Sequence, residues 1–463
     1  MGSTNTTKAG NSRAYKEPAG NIKATMLPLK STITPTRFCV MGDSTSNETD
    51  EWVYLTAQAL AAAFPSHTHS HRFWNDTNQQ YDAPSTLAIG PLGLRHIDTG
   101  AKSTSMRLEI DDSAATSITG DIDVRVKLDF HGNALTSSGD ICGKMATAPN
   151  RSWRITTGST SGKITFVWST DGTTDITKSS SVVVPSAVYN NGPVWIRVTL
   201  DVDNGASGND LKFYYGTDNA NWTQIGTTVT TAGVTSIADT AAKTQFIGRG
   251  TAAIAQQPLD FSFYEMEVYG SLDGTNRVVD IDVGAMCLRD TDGVTVSTFY
   301  DDVGNLVNVT HHNNSSIIGS PRLAWFNGSK SGASTSYFYD ATRYPKMITG
   351  NVNAVFINTG HNHTYNIATF ITEYKTLTDL LQTTDPYMQI FCNLQNKRIS
   401  PATYINEHTL RMVQLSKFAA SQGFEIIDAF TDFPSNGIDT DGVHPVASGS
   451  AFWRDRVLDK LMG

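Results

Sequence analysis

Hydrophobic and polar positions divide the chain into stretches of different period. Phe38-Cys39-Val40-Met41 is a short apolar run of the kind a buried strand needs, and Gly42-Asp43-Ser44 breaks it sharply. A helical pattern starts near Asp50, with Trp52, Leu55, Ala59, Leu60 and Ala63 spaced to share one face. Residues 71–74 read as a second strand. From about 92 to 318 alternation replaces helical spacing. Ile122, Val124, Val126, Leu128 and Phe130 alternate with Asp123, Arg125, Lys127 and Asp129, and Ile196, Val198, Leu200 and Val202 alternate with Arg197, Thr199 and Asp201. Further strands are expected over 163–168, 211–215 and 261–268, between Gly-, Asn- and Asp-rich turns. This stretch predicts an antiparallel β-sandwich. After about 340, helical spacing over 365–381, 402–421 and 447–461 alternates with compact apolar strands over 354–358, 388–394 and 425–429. Alternating strands and helices predict a parallel sheet covered by helices on both faces.

The expected fold class is therefore α/β, interrupted by an antiparallel β-sandwich. Residues 37–91 and 320–463 form the two parts of one domain and 92–319 a guest within it. Residues 1–36, polar and without clear periodicity, read as an arm or linker. Such an insertion works if the two ends of the guest lie close together.

Composition narrows the class. The chain has 463 residues, enough for two or three domains with real cores, and only 17% are charged against 39% hydrophobic. That balance, rich in Ser, Thr, Asn and Gly, favours β-rich secreted or virion-type proteins over helical cytosolic enzymes. A net charge of −9 with no cluster of Lys and Arg argues against nucleic acid as a partner. No apolar run reaches the length of a membrane span, and the N-terminus shows no signal-peptide core. The cysteines, Cys39, Cys142, Cys287 and Cys392, are far apart and form no Cys-x-x-Cys pair, so buried free thiols are expected.

Strand, tight turn and helix around Ser44 form a geometry that presents a nucleophile at the carboxyl end of a strand. Gly-Asp-Ser alone is a weak signal, equally met in an ordinary turn whose Asp43 or Ser44 caps the helix. Near the C-terminus, Asp439-Thr440-Asp441-Gly442-Val443-His444-Pro445 precedes the last helix. Asp441 and His444 are three apart, so one turn brings the carboxylate against the imidazole and fixes its tautomer, as a serine nucleophile requires. The alternative is a turn at Asp441-Gly442 with His444 solvated. Two more strand-to-loop stretches offer donors for an oxyanion: 325–333, with its loop glycines, and 356–363, with Asn362 and its side-chain amide. The four segments together are more specific than any one, because each sits where an open α/β sheet places its site.

On these four segments the chain resembles the SGNH/GDSL hydrolase family of esterases, acetylesterases and lipases on a flavodoxin-like, three-layer fold. The resemblance covers about 37–90 and 320–463. Gly42-Asp43-Ser44 matches the first block, Asn327 to Gly332 the second, Gly360-His361-Asn362 the third and Asp441-Gly442-Val443-His444 the last. It implies Ser44 as nucleophile, His444 as base and Asp441 as orienting acid. It also implies the Ser44 N–H, the Gly332 N–H and the Asn362 amide as oxyanion donors, with Gly328 the rival of Gly332. It implies no metal or other required cofactor. Thr45 stands where the GDSL form has leucine, and His363 stands where the third block commonly has aspartate and so is placed to alter substrate contacts. The stretch 92–319 resembles concanavalin A-like lectin and laminin-G sandwiches in strand pattern and length. Arm, hydrolase domain and lectin-like insert together resemble bacteriophage minor tail and tail-fibre proteins. The architecture implies a virion-tail or extracellular location, a cell-surface polysaccharide and other tail proteins as partners, and a trimer by analogy.

Two function classes follow. One is a serine esterase that removes O-acetyl or other small acyl groups from host polysaccharide. The other is a non-catalytic, glycan-binding virion attachment protein that keeps the hydrolase fold as scaffold. Three further features carry a second meaning. His67, His69 and His71 alternate as metal ligands on a strand do, although a solvated strand entry is the expected reading. Acidic turns at 201–205 and 290–293 offer calcium ligands within the sandwich without a complete EF-hand loop. Trp153, Trp168, Trp195 and Trp222 are candidates to stack on sugar rings, with core packing the expected role for most.

Overall fold

The structure, a computed structural model, describes residues 35–98, 107–132, 135, 139–158, 162–190, 192–246, 261–285, 297–310, 316–349, 352–363 and 366–462. Residues 1–34, Cys287 and the acidic turn at 290–293 lie outside the described residues. Six parallel strands form most of an eight-stranded sheet: β1 (Thr36–Gly42), β2 (Thr68–Asn75), β3 (Arg322–Asn327), β4 (Ala354–Asn358), β5 (Gln389–Leu394) and β6 (Glu425–Asp428), with Gln80–Tyr81 and Ser85–Ala88 pairing antiparallel to β2. Their order is β6-β5-β4-β1-β3-β2. Without β2, the order of the parallel strands is that of doubly wound flavodoxin-like sheets. Strand β1 is buried at every position, and its apolar run has no polar alternation because both faces are covered.

Helices α1 (Trp52–Ala63) and α4 (Ala447–Met462) pack on one face, with Trp52 stacked on Trp453 at 5.5 Å, around Phe38, Val40 and Phe356. Helices α2 (Ile367–Thr384) and α3 (Ala402–Gln422) cover the other, against Cys39, Met41, Val355 and Ile357. The buried face of α1 differs from the expected one: Trp52, Val53, Thr56, Ala57 and Leu60 are buried, whereas Leu55 and Ala59 are half-buried and Ala63 is exposed. Either set satisfies helical spacing. Packing of Trp52 against both the sheet and α4 selects the first.

Between 96 and 318 the strands of the described residues pair in two antiparallel sheets, of eight and nine strands. Val124, Val126 and Leu128 of one sheet share a single core with Ile155, Phe166 and Trp168 of the other. The ends of this segment lie side by side: Leu94 bridges Ser320, and His96–Asp98 pairs with Ser316–Ile318. That proximity is the condition an insertion must meet. Trp153, Trp168 and Trp195 are core residues, while Trp222 is half-exposed beside Arg125 and Arg197.

Buried ion pairs join the two regions. Asp302 receives Arg37, Arg72 at 2.7 Å and Arg322 at 3.0 Å, and Asp280 receives Arg72 at 2.7 Å and Arg277 at 2.9 Å. Burial alone would raise the Asp302 carboxyl, but Arg322, Arg72 and Arg37 together outweigh it and hold it below the ordinary carboxylate range.

The histidines at the start of β2 and just before it correct the expectation of a solvated strand entry. His67, His69 and His71 are buried, and His71 packs against Tyr54 and Phe73. Burial pushes the His71 imidazole down to about 3, so it is a neutral core residue. In the turn at 201–205, Asp201, Asp203 and Asn204 accept backbone N–H groups of their own turn. Among the described residues no group of three or more His, Cys, Asp or Glu is placed to hold a metal ion. Cys39, Cys142 and Cys392 are buried free thiols.

Candidate active site

Strand order reverses at β1, which lies between β3 and β4, and the crevice outside the carboxyl end of such a strand is where open α/β sheets bind ligands. Ser44 stands there. The turn that carries it is fixed from below. Asp43 N–H donates to Asn358 O at 3.0 Å, and the fully buried Asp43 carboxylate accepts from Thr45 N–H at 3.1 Å, Thr45 Oγ1 at 2.8 Å and Gln395 Nε2 at 2.8 Å. Burial raises the Asp43 carboxyl above its ordinary value despite these donors. Gly42 must be glycine for want of space, since a Cβ there would stand 2.1 Å from Ser46 Oγ and 2.6 Å from Ser329 Oγ.

The C-terminal loop completes a chain of hydrogen bonds. His444 Nε2 lies 2.8 Å from Ser44 Oγ, and His444 Nδ1 bonds the Asp441 carboxylate. The other Asp441 oxygen accepts the N–H groups of Val443 at 2.8 Å and His444 at 3.0 Å. Partial burial pushes the Asp441 carboxyl up, but these bonds outweigh it and hold it below the ordinary range. The loop is clamped to the segment after β5: Asn396 Nδ2 donates to Val443 O at 2.8 Å, and Ile399 N–H donates to Gly442 O at 2.9 Å. Gly442 has φ +76°, and a Cβ there would lie 2.5 Å from Ser400 N. The clamp therefore requires glycine twice over.

The loops after β3 and β4 form the opposite wall. Lys330 N–H donates to Gly42 O at 2.8 Å and Ser46 Oγ to Ser329 Oγ at 2.9 Å, holding the β3 loop beside the nucleophile turn. Gly328 N–H is taken by Val40 O at 2.8 Å, whereas the N–H groups of Gly332 and Ser44 donate to no described residue. Asn362 Nδ2 donates to Ala333 O at 3.3 Å, so the third loop meets the second next to Gly332. His363 corrects an expectation. It is buried, with Nε2 3.0 Å from Glu373 Oε2 and 3.3 Å from Thr335 N, so it braces these loops instead of meeting substrate.

The structure thus brings together Ser44, His444 and Asp441, and joins the Gly332 and Asn362 loops. Sequence reasoning missed Gln395 and Asn396. Gln395 Nε2 donates to Asp43 while its Oε1 accepts His361 N–H at 2.8 Å, and Asn396 holds the Val443 carbonyl. Their signal was the polar run Gln395-Asn396-Lys397-Arg398 at the carboxyl end of β5, the position that singled out the other loops.

No family model matches the chain, and no curated protein matches it. Similar solved structures include an acetyl esterase mutant with an acetate ion, at 15% identity over 29% of this chain and 70% of that one, with a TM-score of 0.26. A GDSL-like lipase from Bacteroides thetaiotaomicron is similar at 11% identity over 30% of this chain and 75% of that one, with a TM-score of 0.25. A peptidoglycan O-acetylesterase aligns over 96% of both chains at 9% identity, with a TM-score of 0.36.

Proposed function

We propose that this chain is an SGNH-type serine esterase that removes O-acetyl or other small acyl groups from cell-surface polysaccharide. The observation that carries the reading is the hydrogen-bonded series from Ser44 Oγ through His444 to Asp441 at the point where strand order reverses. His444 takes the proton of Ser44 Oγ as the oxygen attacks the ester carbonyl carbon. The N–H groups of Ser44 and Gly332 and the Asn362 amide hold the oxyanion. Collapse breaks the bond to the leaving alcohol, which receives the proton from His444, and an acyl-serine remains. Water deprotonated by His444 then releases the acid and restores the serine.

In the same reading, 92–319 is a lectin-like guest that anchors glycan and 37–91 with 320–463 is the catalytic domain. The protein works in a virion tail, among other tail proteins. The test is hydrolysis of p-nitrophenyl acetate by wild type and Ser44→Ala. A loss of about a thousandfold or more is expected. Equal rates sink the assignment and leave the attachment-protein alternative.

A further inference from the structure

A cavity lies away from Ser44, where the two regions meet. Its volume is about 500 Å³, within the range of small-ligand sites. One wall is the segment Asn78 to Tyr81, following β2. The other is built by 114–120 and by the turn 270–278 of the β region. A site made from both regions exists only when they are docked, and the buried ion pairs supply that docking. Arg277 and Asp302 belong both to the cavity lining and to the ion cluster, so this wall is held rigid before any ligand arrives.

The chemistry of the lining is specific. Neutral amides and hydroxyls are its commonest groups, beside apolar Ala114, Ile118, Val278 and Val303 and the charged Arg277, Asp302 and Lys346. The side-chain amides of Asn78 and Asn276 bond no described residue. Arg277 Nε is a buried donor with no acceptor, although its Nη groups are taken by Tyr81 O, Glu267 and Asp280. A buried guanidinium N–H without a partner is costly, and an acceptor entering from the cavity that Arg277 lines would relieve that cost. Gln79, also in the lining, has φ +51°, a conformation a non-glycine residue holds only where its surroundings impose it. Many neutral donors and acceptors around small apolar patches fit a ligand with hydroxyls on its edges and C–H groups on its faces.

We infer that this junction cavity binds one or two sugar units of a polysaccharide. The inference rests on the reading that polysaccharide is what the protein engages, and not on Ser44 being catalytic. It also gives the cavity a link to the catalytic loops. Asp76, in the loop that leads to Asn78 and Gln79, accepts a hydrogen bond from Tyr337 and lies 3.6 Å from Lys330, which precedes Gly332 by two residues. A glycan held here lies one loop away from the oxyanion wall.

The experiment uses the full chain carrying Ser44→Ala, so that turnover plays no part. Binding of a panel of defined glucan, mannan, N-acetylglucosamine and uronate oligosaccharides, with and without O-acetyl groups, is measured by saturation-transfer NMR and calorimetry. At least one is expected to bind. Asn78→Ala combined with Asn276→Ala is expected to weaken it at least tenfold at an unchanged melting temperature, because neither side chain makes a hydrogen bond that folding would lose. Ala115→Trp, at an exposed rim position, blocks the cavity by bulk and should produce the same loss. The inference is overturned if no oligosaccharide binds at millimolar concentration, or if binding survives both variants. Catalytic failure is read separately, from the aryl ester rates of wild type and Ser44→Ala.

Discussion

Strand β1 carries Ser44 just past its carboxyl end and Arg37 near its amino end, and β3 carries Asn327 and Arg322 at its two ends. The same sheet therefore supports two charged clusters of opposite character. At the carboxyl end, the Asp441 and His444 side chains are 45% and 40% exposed. In the junction cluster Arg72, Arg322, Asp280 and Asp302 are all 4% exposed or less. An exposed pair contributes little to stability but remains free to exchange protons. A buried cluster has already lost its hydration, so each charge needs its partners, and arginines hold Asp302 ionised throughout the working pH range. One end of the sheet is arranged for protons to move, and the other for charges to stay.

Substitutions at the two ends should separate these roles. The largest effect is expected from Asp441→Asn, which keeps the shape but loses the carboxylate that orients His444. Aryl ester hydrolysis should fall about a thousandfold or more while the urea midpoint stays put. A large stability loss instead would show that the exposed pair is structural. At the other end, Asp302→Ala leaves Arg37, Arg72 and Arg322 buried around a missing carboxylate. It should cost about 3–5 kcal/mol in urea unfolding, with activity per folded molecule retained. If the midpoint is unmoved, the clusters do not differ as described.

Those two ends were unequally legible. The site could be read because its chemistry is concentrated in short segments at strand ends: Gly42-Asp43-Ser44, Asp441 to His444, and the loops bearing Gly332 and Asn362. The parallel strands could be read because burial on both faces leaves unbroken apolar runs. The junction could not. Arg37, Arg72, Arg277, Arg322, Asp280 and Asp302 are scattered over nearly three hundred residues, and singly each looks like a solvated strand charge. Only pairing across the fold turns them inward. The same blindness hid the burial of His67, His69 and His71, whose alternation fits either a wet edge or a covered strand. The face of α1 was misplaced because spacing defines a stripe, whereas the tryptophan opposite defines which stripe is used.

A third variant asks whether burial or location decides the behaviour. Glu51 is buried just before α1, near Asp43, with Glu48 N–H donating to it at 2.8 Å. Burial, reinforced by the charges of Glu48 and Asp43, pushes its carboxyl up to about 8. A carboxyl whose folded value is raised binds its proton more tightly in the folded state. Folding stability should therefore fall as pH rises from about 4.5 to about 8, by on the order of 2–4 kcal/mol. Melting curves at pH 5 and pH 8.5 should show that decline in wild type and less of it in Glu51→Gln. An equal decline in both would place the titration elsewhere.

The smallest effect, and the sharpest division, is expected at Gln395. It lies at the site by position but is fully buried like the junction residues. Its amide reaches two ways, donating to the Asp43 carboxylate and accepting His361 N–H, so it ties the nucleophile turn to the loop that carries Asn362. Gln395→Ala leaves a buried carboxylate oxygen and a buried backbone N–H unpaired, which should cost about 1–3 kcal/mol of stability. In the proposed reaction both tied elements face the ester, so activity per folded molecule should also fall, by roughly tenfold, with kcat affected more than KM. Gln395→Glu keeps the length but sets a second carboxyl against Asp43. Its activity deficit relative to wild type at the same pH should shrink towards low pH, where one of the two is protonated, whereas the deficit of Gln395→Ala should not. If stability falls while kcat is untouched, Gln395 belongs with the junction, and burial outweighs position in deciding what a polar residue does in this chain.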